Sequence, residues 1–268
     1  MAIAITSDLH LGITSPRVLG ELADTIESAA PEALVLAGDI GEGPGAFAEC
    51  VRLFADAAPR RGFVAGNHDV WAREGFSSEE LWLRRLPGLA GQHDCAPLEN
   101  QIWRLADGVA LVASMAWYDY SAIDPAFAHL DAETIARKKR DLNNDGVMID
   151  WSFSDRELAA RCAAGVVARL EKAQADPDVR RVIVVTHVPL FEQQILRRPE
   201  NAVWGFSNAY FGHLTLGRAV ERFDKVSDVV SGHTHYGRDA LVERAGQAPI
   251  RTRVIGSEYG APAWVLVE

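Results

Sequence analysis

Asn67, His68 and Asp69 stand directly behind Gly66 and the apolar run Gly62-Phe63-Val64-Ala65. Such a run reads as a buried strand stopped by a sharp turn. The same arrangement recurs four times. Ala2 to Thr6 leads into Asp8 and His10, and Ala33 to Ala37 into Gly38-Asp39. Arg181 to Thr186 leads into His187, and Val226 to Ser231 into Gly232-His233-Thr234-His235. Imidazoles, carboxylates and one amide oxygen, with no thiolate, suit manganese, iron, zinc or a similar ion. These groups exceed the needs of one cation. They suit a pair about 3.5–4 Å apart that clamps the attacking and leaving oxygens of a displacement.

Each ending alone has a plainer explanation. Asn, His and Asp are ordinary turn residues, and a lone His or Asp at a strand end is more often a capped turn. Five endings in one framework are not accounted for that way. Five of the eight histidines fall in this set, whereas His93, His129 and His213 lack such a setting. Asp141-Leu142-Asn143-Asn144-Asp145-Gly146 opens like a calcium-binding loop, but its twelfth position is Ser152 instead of a bidentate Glu. A solvated Asn/Asp-Gly turn is the preferred reading there.

The elements between these blocks must bring them to one place. Ser15 and Pro16 start a helix carrying Val18, Leu19, Leu22, Ala23 and Ile26 on one face. A second helix is read from Ala46 to Ala57. Strand, helix, strand, helix, strand makes a βαβαβ unit with parallel strands and right-handed crossovers. All three strands then deliver their terminal residues to one edge, where open α/β sheets place ligands. A short helix is expected over Ser78 to Leu86, and a hairpin joins 101–106 to 109–114 through Asp107-Gly108. Ser154 and Glu157 form a capping box before a helix containing Leu158, Cys162, Val166 and Leu170. The segments 251–255 and 263–267 read as antiparallel strands closing a second sheet. Nothing divides the chain, so residues 1–268 are expected to form one domain. Two aromatic-rich segments, about 117–151 and 191–212, are expected as inserts or lids. In them Trp117, Tyr118, Tyr120, Arg197 and Trp204 are the candidate substrate contacts.

Composition narrows the function classes. The chain has 268 residues, 48% hydrophobic and 24% charged, as in an ordinary soluble domain with a sizeable core. Cys50, Cys95 and Cys162 are odd in number and far apart, which predicts a reducing compartment. With neither a leader-like start nor a long apolar run, a cytoplasmic protein without membrane contact is expected. A net charge of −10 argues against a general nucleic-acid binder. A phosphate substrate stays compatible, because bound cations invert the local field.

Asp8-Leu9-His10, Gly38-Asp39, Gly66-Asn67-His68-Asp69, His187 and Gly232-His233-Thr234-His235 resemble, in this order, the five signature blocks of the calcineurin-like metallophosphoesterases. The resemblance implies an α/β fold, a four-layer αββα sandwich of two mixed β-sheets flanked by helices. It implies two divalent metal ions, with Mn2+, Fe2+/Fe3+ or Zn2+ the candidates. Asp8, His10 and His235 would hold the first, Asn67, His187 and His233 the second, and Asp39 would bridge them. His68 would act on the reacting phosphate, and Asp69 would orient its ring. The implied reaction is hydrolysis of a small phosphate ester, foremost a phosphodiester, by in-line attack of a metal-bridging hydroxide. The full set is similar to the class III cyclic-nucleotide phosphodiesterase type. Ile40-Gly41-Glu42-Gly43 departs from the Val-Asp-Arg-Gly pattern of the protein serine/threonine phosphatases. A phosphomonoesterase is the alternative, with a nuclease or a non-catalytic scaffold of the same fold behind it.

Overall fold

The computed structural model describes residues 2–268. Its strands are β1 (Ile3–Thr6), β2 (Ala33–Ala37), β3 (Arg60–Val64), β4 (Cys95–Pro97), β5 (Ile102–Arg104) and β6 (Val109–Ser114), followed by β7 (Arg181–Thr186), β8 (Val226–Ser231), β9 (Arg238–Arg244), β10 (Gln247–Val254) and β11 (Trp264–Val267). They form two sheets, in the orders β11-β1-β2-β3-β4 and β5-β6-β7-β8-β10-β9. In the first sheet β1 to β4 run parallel and β11 runs antiparallel to β1. In the second, β6, β7, β8 and β10 are parallel, with β5 and β9 antiparallel at the edges.

The central strands are apolar on both faces because both faces are covered. Side chains alternate along a strand, so each strand feeds two cores. Ala33, Val35 and Ala37 of β2 point into the layer between the sheets, where they meet Ile183 and Val185 of β7. Leu34 and Leu36 point outward to the helices α1 (Pro16–Ser28) and α2 (Pro44–Leu53). On the far side, Val182 and Val184 of β7 pack under Val166 and Leu170, which belong to the long helix Asp155–Ala175. Helix, sheet, sheet, helix is the resulting order.

Several expectations need correction. The strands at 251–255 and 263–267 do not share a sheet: β10 lies parallel to β8, and β11 crosses to pair with β1. The second helix ends at Leu53, sooner than 57. Helical structure from Ser78 continues through a π-type turn to Gly91, well beyond Leu86. The segment 117–151, read without any element, holds the helices Ala132–Leu142 and Asp145–Met148. Ala132, Ile135 and Leu142 pack inward from one face of the first of these, whose other positions are mostly charged. No described helix is long and apolar enough to cross a membrane.

Candidate metal centre

Parallel pairing brings the carboxyl ends of β1, β2, β3, β7 and β8 to one edge, and backbone hydrogen bonds lock the turns beyond them. Asp8 N–H donates to Gly38 O at 3.0 Å, and His10 N–H to Asp39 O at 2.9 Å. Gly232 N–H donates to His187 O at 3.0 Å, tying the turn after β8 to the turn after β7. Two glycines are forced by close approach. A side chain on Gly66 would run into the Asp39 carboxylate, and one on Gly38, at φ +92°, into the His187 ring. Asp8, His10, Asp39, His233 and His235 all have φ between 44° and 70°. Asp and His are among the residues enriched in this left-handed region, and such strain is typical of functional sites.

All seven expected ligand residues converge. Ligand atoms of Asp8, His10 and His235 lie within 4.8 Å of one another, as do those of Asp39, His187 and His233, and those of His10, Asp39 and His68. Asn67 Oδ1 completes the second set, 3.0 Å from His187 Nε2 and 2.9 Å from His233 Nδ1. Asp39 Oδ2 lies 3.6 Å from His10 Nε2 and 3.5 Å from His187 Nε2, between the two sets.

Hydrogen bonds on the outer side of each ring fix which nitrogen faces inward. His187 Nδ1–H donates to Ala37 O, and His233 Nε2–H to Tyr210 O, both at 2.9 Å. Their inward nitrogens therefore aim lone pairs at the Asn67 oxygen, an arrangement that calls for a positive charge between them. Buried His10 Nε2 has no hydrogen-bond partner at all. The donor set thus fits the cations that the motif blocks imply. Without cations, a proton on His187 supplies that positive charge. Burial works against charge on His187, but Asp39 outweighs it and lifts the ring to about 9. His233 falls to about 4 through burial and the neighbouring His187.

His68 is placed as expected, but its support is not. Burial disfavours its charge, yet the Asp39 carboxylate and the hydrogen bond to Glu42 raise its pKa to about 9. Glu42 Oε1 accepts from His68 Nδ1 at 2.8 Å and from His10 Nδ1 at 2.9 Å, while Oε2 accepts from Arg73 at 2.8 Å. Those bonds hold Glu42 well below the usual carboxylate range against its burial. Asp69 does not face the ring. Its carboxylate turns back to accept from the backbone N–H groups of Gly66, Ile40 and Gly41, because His68–Val70 is a tight helical turn that points successive side chains apart. Sequence reasoning missed Glu42. The available signal was its place three residues beyond Asp39, in a turn that returns to the same side.

The site opens into a cavity of about 650 Å³ whose walls include Trp71, Trp204, Phe211, Tyr236 and Tyr259. Of the five expected substrate contacts only Trp204 lines it. Trp117, Tyr118 and Tyr120 are buried, with their polar tips on Asp155, Asp145 and Asp155. They pack the insert onto the outer helical layer. Arg197 is spent on Glu192 and on Ala122 O.

The model of the calcineurin-like phosphoesterases matches residues 1–237. The chain belongs to this family. It is accordingly a metal-dependent phosphoester hydrolase, and the family implies a dinuclear divalent metal centre. Among solved structures, the phosphoesterase is similar to phosphopantetheinyl hydrolase from Mycobacterium tuberculosis, with 22% identity, TM-score 0.72, and 98% of this chain and 95% of that one covered. A dimetal phosphatase from Danio rerio gives 15% identity, TM-score 0.60, and coverage of 99% and 91%. A third structure, TT1561 of Thermus thermophilus, gives 10%, 0.54, and coverage of 95% and 88%. At these identities the likeness concerns the fold. Comparison with curated proteins gives no match.

Proposed function

We propose that this phosphoesterase hydrolyses a small phosphodiester with an organic group on each side of phosphorus. Asp8, His10 and His235 would hold one divalent cation, Asn67, His187 and His233 the other, with Asp39 shared. When bound, the cation pair supplies charge neutralisation at the phosphate and activation of the attacking water. The donor set suits manganese, iron or zinc. His68, fixed through Nδ1 by Glu42, would present Nε2–H as the proton donor to the leaving oxygen.

The observation that carries the diester is the cavity lining. Among the described residues it holds no Lys or Arg, while aromatic faces are abundant. A monoester dianion is commonly held by a basic clamp. A diester monoanion asks for less charge and presents two organic arms to the aromatic walls. The net charge of −10 further disfavours a polyanionic nucleic acid. The named activity of the Mycobacterium tuberculosis neighbour adds phosphopantetheinyl esters to the substrates worth testing.

The test compares bis(p-nitrophenyl) phosphate with p-nitrophenyl phosphate, using metal-stripped protein reloaded with manganese. We expect higher kcat/KM on the diester. A clear preference for the monoester would replace this reading with a small-molecule phosphatase.

A further inference from the structure

Asp145 lies in the Asn143-Asn144-Asp145-Gly146 run whose composition predicts a solvated turn, yet it is fully buried. Its Oδ1 accepts from Asn67 Nδ2 at 2.9 Å and from Trp71 Nε1 at 2.7 Å, and its Oδ2 accepts from the Tyr118 hydroxyl at 3.0 Å. An indole N–H can only donate, so the Oδ1 shared by Trp71 and Asn67 is an acceptor. The nitrogen of the Asn67 amide is therefore pinned toward Asp145, and the oxygen must face His187 and His233. Trp71, held by the same oxygen, stacks on His68 with ring centroids 3.7 Å apart. The support is itself anchored. Asp145 N–H donates to Asn143 Oδ1 at 2.8 Å, and Ala72 N–H donates to Met148 O at 2.7 Å.

We propose that Asp145 is a positioning residue, supplied by the insert, that sets the orientation of the Asn67 amide toward the second cation and, through Trp71, the plane of the His68 ring. This rests on the reading of Asn67 as a ligand. An amide presents a donor group and an acceptor on opposite sides, and little but its hydrogen bonds decides which faces inward. Without Asp145, the Asn67 NH2 group can turn toward the cation and repel it.

The experiment is calorimetric titration of the metal-stripped full chain with manganese, beside circular dichroism for folding. Asp145→Ala is expected to leave one site near wild type and to weaken the other about 10–100-fold. Asp145→Asn keeps an oxygen toward Asn67 and Trp71 and offers its NH2 to Tyr118, whose hydroxyl can rotate to accept. It is expected to retain both affinities within about threefold, as is Tyr118→Phe, which removes only the third bond. Adding Asp145→Ala to an Asn67→Asp background should cost little, since a carboxylate presents oxygen whichever way it turns. If Asp145→Ala does not fold, Asp145→Ser carries the same expectation, because one hydroxyl cannot replace both acceptor positions. Wild-type affinities at both sites in the folded truncation would overturn the proposal, as would Asp145→Asn or Tyr118→Phe losing as much as the truncation. Fewer than two sites in the wild-type chain would instead overturn the dinuclear reading.

Discussion

Glu42 lies 2.8 Å from His68 Nδ1, whereas Asp69 meets three backbone N–H groups. The two acids therefore have separable effects. Glu42→Gln, which loses the charge beside His68 and His10 but fills the same space, is expected to lower kcat about 10–100-fold with little change in Tm. Asp69→Ala leaves three buried donors without a partner, each costing about 1–3 kcal/mol. It should show first as a large loss of thermal stability. Measuring kcat and Tm on both variants decides. A Glu42→Gln enzyme of full activity beside an Asp69→Ala enzyme that is stable but inactive would return the orienting role to Asp69.

At the scale of elements, every candidate ligand follows a strand, and none lies inside one. A strand interior is committed to the ladder and to two packed faces, so only the turn beyond it can aim a side chain at a shared point. Those turns are tight enough that the Gly66 Cα faces Asp39 directly. Gly66→Ala must push the Asp39 carboxylate or its backbone aside. The expected results are a destabilisation of about 1–3 kcal/mol, as for other overpacked sites, and weakened binding of both metals, since Asp39 lies between both sets. Manganese titration and denaturant unfolding check this. Unchanged affinity at both sites would mean that the turn has room that its geometry does not show.

Across the molecule, the candidate metal centre joins the two sheets, drawing Asp8, His10, Asp39 and Asn67 from the first and His187, His233 and His235 from the second. Between the sheets lies an apolar layer, while at their carboxyl edge carboxylates and imidazoles crowd together. Cations bound there should act as a bridge across the sandwich. For each site filled, manganese at about 100 times its Kd is expected to stabilise the fold by about 2.7 kcal/mol, a rise in Tm on the order of 5–10 °C per site for a chain of this size. Thermal scans with manganese and with a chelator measure it. Coincident transitions would show that no metal binds the native state preferentially.

The parallel core strands and the placement of the seven candidate ligand residues at their ends were legible in the sequence because both are local signals: an apolar run reads as a buried strand, and the polar residue after it must lie at that strand's end. The roles of Glu42 and Asp145 were not legible, because each depends on partners far away in sequence that only packing brings near. The same holds for the aromatics. Trp117, Tyr118 and Trp204 look alike as residues in irregular segments, yet the first two are buried under the insert and the third faces the cavity. Strand β11 was recognisable as a strand, but its sheet was not, since pairing with β1 is a contact across nearly the whole chain. Residue type and order determined which chemistry is present. Tertiary structure decided which carboxylate serves which ring, because a hydrogen bond depends on distance and direction that spacing along the chain does not specify.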